Sequence, residues 1–189
     1  MRKLIVSMWI TLDGFVAGED DSMDWILGDG QMSTYEQALV DTTDTLLLGR
    51  ITYTDFASYW PIVAKDDNGD PVQQAYAKRL DELKKVVVSE PELDIDWDST
   101  ERLSNIDKGE ILTLKKQPGK NIVMYGSLSV VNALAELDLI DEYHLLVHPL
   151  YLRKGRALFK EDGPAVTLEL ISAEPFSSGV VLMKYRRAN

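Results

Sequence analysis

No cysteine occurs among the 189 residues of this chain. That removes disulfide staples, thiolate zinc sites and a cysteine nucleophile in one step, and it fits a reducing compartment. Histidine is scarce too: His144 and His148 are the whole supply. Their spacing of four points both to one side of a strand, with no third ligand or paired carboxylate in view, so it reads as strand packing and no metal site is expected. No apolar run of about 18 or more residues exists, so no membrane-spanning helix is expected. The opening MRKLIVSMWI carries a charge and an apolar run, but Asp13 arrives too soon and no small-residue cleavage site follows, so it does not read as a signal peptide. Positive charge is in deficit, with 20 Lys and Arg against 31 Asp and Glu and a formal net charge of −11. Such a field repels nucleic acid phosphates and anionic lipid. Neither nucleic acid nor membrane is therefore expected as a partner, and a cytoplasmic location is. Any basic feature has to act locally, at a small site.

What is present suits one domain over residues 1–189. A chain of this length can bury roughly 70% of the surface of its extended form, and 45% apolar with 27% charged residues is ordinary for a globular protein. KLIVSMWI suits a strand, followed by the glycine- and acid-rich TLDGFVAGEDDS. Ser33 and Glu36 in S-T-Y-E form a capping-box pattern, which predicts a helix from Ser33 to about Asp41. TLLL makes a short buried strand, residues 51–58 and about 71–83 look helical, and KKVVVSE is another buried strand ending at Ser89. Helix is expected over 106–117, strand in NIVMYG, helix in SLSVVNALAELDLI and strand in DEYHLLVHPLYL. The tail offers VTLELISAEPF and GVVLMKYRR, two strands joined around SSG as a hairpin. Strand–helix alternation with a terminal hairpin implies an α/β fold with a mainly parallel central sheet and an antiparallel edge.

In open sheets of this kind ligands collect at the carboxyl ends of strands, and Asp13, Gly49, Ser89 and Gly126 all fall there. In LLLGRITY, Gly49 and Arg50 stand at a strand-to-helix turn with Thr52 just beyond. An arginine fork and a hydroxyl at a helix start suit a phosphate; the plainer alternative is a surface arginine after a turn glycine. GSLS, residues 126–129, places small residues where backbone amides can approach an anion at a helix N-terminus, although Ser127 could equally be a cap. Asp13 could accept a hydrogen bond from a substrate or cofactor amide, or Asp13-Gly14 could be a simple turn. Neither G-x-x-x-x-G-K-[ST] nor G-x-G-x-x-G occurs. KDDNGD fails as a calcium loop, because alignment on Gly69 puts Ala64 and Ala75 at the terminal ligand positions.

Taken in order, TLDGFVAG, LLLGRITY, KVVVSE, IVMYGSLSVVNAL, DEYHLLVHPLYLRKGRALF and SSGVVLMKY resemble the dihydrofolate reductase-like family that contains the C-terminal reductase domain of the bifunctional riboflavin-biosynthesis protein. The resemblance implies a three-layer fold with a central mixed sheet, and NADPH as cofactor. It implies that Gly49, Arg50 and Thr52 hold the adenosine end, with Arg50 and Ser89 at the 2′-phosphate. It puts Gly126, Ser127, Leu128 and Ser129 at the pyrophosphate, and Asp13, Ala17 and Trp25 along the nicotinamide and substrate pocket. Asp13 is the one catalytic nominee. The implied activity is reduction of a small heterocycle, a pteridine or the ribosylaminopyrimidine of riboflavin biosynthesis, by a homodimer. Two departures stand out. The acid after Trp25, Asp29, precedes the helix on which dihydrofolate reductases carry a carboxylate, and no H-x-E with P-C-x-x-C deaminase pattern occurs. A non-catalytic nucleotide-binding protein that kept the fold is the rival reading.

Overall fold

Continuous apolar runs cannot be buried on one face of a strand alone, because side chains alternate across it. In β3 (Thr43–Gly49) the run therefore splits, with Leu47 in one core cluster and Leu46 and Leu48 in another on the opposite face. The same division separates Leu4 and Val6 from Ile5 in β1 (Leu4–Thr11). It separates Val86 and Val88 from Val87 in β4 (Lys84–Val88), and Ile122 and Met124 from Val123 in β6 (Asn121–Met124). Helices cover both faces. α1 (Gly30–Asp41), α2 (Arg50–Lys65) and α3 (Pro71–Glu82) supply Met32, Leu39, Tyr53 and Leu80 to one cluster. α4 (Lys108–Lys116) and α5 (Leu128–Glu136) supply Ile111, Leu114, Val131 and Leu134 to the other.

The computed structural model describes residues 1–90, 92–160 and 165–188. Its main sheet has eight strands in the order β5-β4-β3-β6-β1-β7-β10-β9. The remaining members are β5 (Thr100–Leu103), β7 (Glu142–His148), β9 (Leu168–Pro175) and β10 (Val181–Arg187). All pairings from β5 to β7 are parallel, and β7-β10 and β10-β9 are antiparallel. The expected α/β architecture is thus present: a mixed, mainly parallel sheet between helical layers, closed by a hairpin whose turn holds Gly179 at φ +89°. A small second sheet pairs β2 (Phe15–Ala17) with β8 (Arg156–Ala157).

Three local expectations are corrected. α1 starts earlier than Ser33, because the Asp29 carboxylate takes the N-cap and accepts from the Met32 amide at 2.7 Å; Ser33 lies inside the first turn and donates its hydroxyl to the Asp29 carbonyl. α2 runs past residue 58 to Lys65 with Pro61 inside it, its last turns held by Phe56 and Trp60, four apart and packed edge to face at 6.1 Å. β2, β5 and β8 carry too few residues and too little apolar alternation to stand out in the sequence.

Candidate functional site

Two strand-to-helix turns meet at the carboxyl edge of the sheet. Gly49, closing β3, donates its amide to the carbonyl of Gly126, just beyond β6, at 3.0 Å. A Cβ on Gly49 would stand 2.8 Å from the Ser127 nitrogen, so the two turns touch only because that position has no side chain. Gly126 has φ +131°, and a Cβ there would meet the Thr52 hydroxyl at 2.8 Å. Thr52 therefore backs the second turn. The Gly126–Ser127 peptide is cis.

Both helices that leave this junction begin without a side-chain cap. Gly49 is the N-cap of α2 and Ser127 that of α5, and neither makes a capping bond. The Ser127 hydroxyl lies 3.2 Å from the Ser129 hydroxyl instead. Two helix N-termini with their partial positive charge thus open on one cleft. Its volume is about 370 Å³, and Arg50, Ser89, Glu90, Ser104, Ser127 and Ser129 line it. Arg50 is exposed and, among the described residues, forms no ion pair. Buried Ser89 is fixed by its backbone: its amide donates to Leu103 at 2.9 Å and its carbonyl accepts from Arg102 at 3.0 Å. Of the residues anticipated at the anion site, Arg50, Ser89, Ser127 and Ser129 converge on the cleft, with Gly49, Gly126 and Thr52 beneath it. Leu128 turns into the core on the α5 face.

The second group lies beyond the ends of β1 and β7. Asp13 is exposed, yet both its carboxylate oxygens are occupied. One accepts from the Thr11 hydroxyl at 2.6 Å and the Leu152 amide at 3.2 Å; the other accepts from the Arg153 amide at 2.8 Å. Slight burial works against ionisation, but these hydrogen bonds together outweigh it and hold the carboxyl below its ordinary value. Ala17 is buried in β2, across from Arg156. Trp25 sets its ring edge-on to His148, centroids 5.1 Å apart, and the Trp25 Nε1 and His148 Nε2 atoms are buried without hydrogen-bond partners among the described residues. Nδ1 of His148 donates to the Leu146 carbonyl at 2.9 Å, and burial keeps the ring neutral by lowering its pKa. His144 bonds the Tyr35 hydroxyl and Glu142; burial, opposed by Glu142, brings it down to about 4.

Sequence reasoning missed two contributions. Ser104 and Asn105 reach the cleft from the end of β5, a strand that was not anticipated. Glu36, on α1, sits half-buried where Trp9, Tyr76 and Tyr125 come together; burial pushes its carboxyl up to about 7, partly countered by a hydrogen bond from Trp9. Its position beside the apolar residues Met32, Leu39 and Val40 at helical spacing was the available signal.

This three-layer arrangement, with a cleft across its strand ends, is the dihydrofolate reductase-like fold. The chain belongs to the RibD C-terminal domain family, whose profile matches residues 2–182. The uncharacterized protein YyaP of Bacillus subtilis (strain 168) is 33% identical over 184 residues, covering 97% of this chain and 94% of that one. A candidate riboflavin biosynthesis protein of Shewanella sp. PV-4 superposes with a TM-score of 0.76 at 21% identity, over 99% of both chains. Dihydrofolate reductase from Enterococcus faecalis, complexed with NADP(H) and RAB-propyl, gives a TM-score of 0.63 at 16% identity, over 99% of this chain and 97% of that chain.

Proposed function

We propose that this chain is an NADPH-dependent reductase of a small polar heterocycle, of the pteridine or ribosylaminopyrimidine kind, acting as a single cytoplasmic domain and as a homodimer. One observation carries the reading: Arg50 and two uncapped helix starts open together on one cleft of an otherwise acidic protein. The donor set fits the cofactor. Arg50 and Ser89 would hold the 2′-phosphate, with Gly49 and Thr52 shaping that turn. The Gly126, Ser127, Leu128 and Ser129 backbone would hold the pyrophosphate at the start of α5. The cofactor, when bound, supplies hydride. The protein's own work is to orient and to exclude water. Trp25 and Ala17 would wall the substrate side. Asp13, nominated for catalysis, is better suited to positioning: it ties the turn after β1 to residues 152 and 153. The exposed edge strand β9, with Leu170 and Ile171 on its surface, supports the homodimer.

The test is a fluorescence titration with NADPH and NADH on the wild type and on Arg50→Ala. We expect NADPH to bind at least about tenfold tighter than NADH, and the substitution to erase that preference at a cost of about 1.4 kcal/mol or more. Failure of the wild type to bind either cofactor removes the reductase reading. A second reading, a nucleotide-binding protein without turnover, draws on the occupied carboxylate of Asp13. Binding of NADPH with no oxidation against pterins, flavin precursors and sugar-substituted pyrimidines would favour it.

A further inference from the structure

Positive charge is only half of what the cleft at the strand ends presents. Among the described residues, two charged side chains line it: Arg50 at the start of α2 and Glu90 just beyond β4. Both are exposed, and among the described residues neither forms an ion pair, with the other or with a third group. Two opposite charges thus share one cleft without neutralising each other. An exposed carboxylate on an open surface is satisfied by water. On the wall of a cleft of about 370 Å³ it gives up part of that water when the cleft fills, so a ligand has to supply a donor in exchange. A phosphate cannot: two anions side by side repel, and a cleft shaped for phosphate alone gains nothing from an acid at position 90.

The backbone fixes where Glu90 stands. Ser89, directly before it, is buried, with its amide donating to the Leu103 carbonyl at 2.9 Å and its carbonyl accepting from Arg102 at 3.0 Å. β4 is therefore held to β5 one residue past its end, and Glu90 leaves the sheet at a set point on the cleft wall. On the same bank, Ser104 and Asn105 are neutral. Across from them the uncapped start of α5 brings Ser127 and Ser129. Donors are gathered at the α2 and α5 starts, and the one full acceptor charge stands on the β4–β5 side. A ligand that spans the cleft has to be anionic toward the helix starts and offer O–H groups beside the anion. A ribose that carries phosphate has that pattern, and a carboxylate is the usual acceptor for its vicinal hydroxyls.

We propose that Glu90 accepts hydrogen bonds from the ribose hydroxyls of the cofactor's adenosine, and so narrows the preference for NADPH that Arg50 creates. The proposal rests on the reductase reading and on its placement of the cofactor. NADH brings a 2′- and a 3′-hydroxyl to this point, and one carboxylate can accept from both. NADPH brings a phosphate on the 2′-oxygen and only the 3′-hydroxyl as donor. That phosphate is drawn by Arg50 and repelled by Glu90. Position 90 works against position 50, and the pair sets the ratio of the two affinities.

The experiment is a calorimetric titration of the intact wild type, Glu90→Ala and Glu90→Asp with NADPH and with NADH. The two cofactors differ only at the 2′-oxygen, so a general disturbance of the fold moves both affinities together, whereas the proposed contact moves their ratio. Glu90→Ala should weaken NADH, tighten NADPH and widen the ratio about tenfold or more. Glu90→Asp keeps the charge on a shorter arm and should give back part of the change. ADP and 2′-deoxy-ADP provide a second reading. The wild type should hold ADP about fivefold or more tightly than 2′-deoxy-ADP, and Glu90→Ala should hold the two equally. A wild type that binds NADPH, but whose NADPH-to-NADH ratio is the same in Glu90→Ala, overturns the proposal and leaves the reductase reading standing. Equal affinity of the wild type for ADP and 2′-deoxy-ADP does the same. Failure of the wild type to bind either NADPH or NADH removes both.

Discussion

At the scale of single residues, the contact between Gly49 and Ser127 makes the sharpest demand. A methyl group at position 49 enters the space of the Ser127 backbone, so Gly49→Ala forces the β3 and β6 turns apart. We expect a loss of about 1–3 kcal/mol in urea unfolding, typical of overpacking, together with weakened NADPH binding in the same titration used for Arg50. Protonation gives a second handle. The folded protein holds His144 at about 4 against an ordinary 6.5, chiefly by burial. Its contribution to stability is therefore complete above pH 6.5 and is lost as pH falls from 6.5 through about 4. Glu36 runs the other way: held at about 7 against 4.5, its contribution is complete below pH 4.5 and is lost as pH rises through about 7. Urea midpoints across this range should show His144→Gln flattening the acid side and Glu36→Gln the neutral side. Arg50, Ser89 and Ser127 were legible because an apolar run that stops at a small residue marks a strand end. Glu36 was not: the pattern S-T-Y-E read it as the capping partner of Ser33, whereas Asp29 takes the cap and Glu36 lies half-buried within α1.

At the scale of elements, the start of α1 shows what a sequence pattern leaves undecided. Both D-G-Q-M and S-T-Y-E fit a helix start, and the choice falls to tertiary contacts. Asp29 caps the helix and also accepts from the Ser178 amide at 3.1 Å, while the Gln31 side chain accepts from Ser177 at 2.6 Å. The hairpin turn between β9 and β10 thereby docks on α1. Asp29→Ala should cost about 0.5–2 kcal/mol in urea unfolding from the cap alone, and amide exchange at Ser177 and Ser178 should quicken. The central strands were readable because each is a short run of Val, Ile and Leu bounded by turns. β5 was not: its residues TERL are mostly at the surface, and its pairing to β4 depends on where residues 84–88 lie.

At the scale of the molecule, charge and edges decide how it meets others. A net charge of −11 would repel the proposed anionic cofactor at long range, whereas Arg50 would attract it only at contact. Added salt should therefore raise the association rate for NADPH while weakening the bound complex, a pairing that stopped-flow fluorescence separates. β9 closes one side of the sheet with Leu170 56% and Ile171 45% exposed. If that edge joins two copies, Leu170→Glu should convert a dimer to a monomer in sedimentation, with the cofactor affinity kept. The sheet order has one more outcome, in the making of the protein. β1 lies between β6 and β7, with Leu4 beside Ile122 and Ile5 beside Glu142. On the ribosome, LIVSMWIT is therefore synthesised long before either neighbour and waits as a sticky, solvent-facing segment. Nascent chains halted ahead of residue 121 should remain open to protease and bound by chaperones, and protection of β1 should arrive only when residues 142–148 have cleared the exit tunnel.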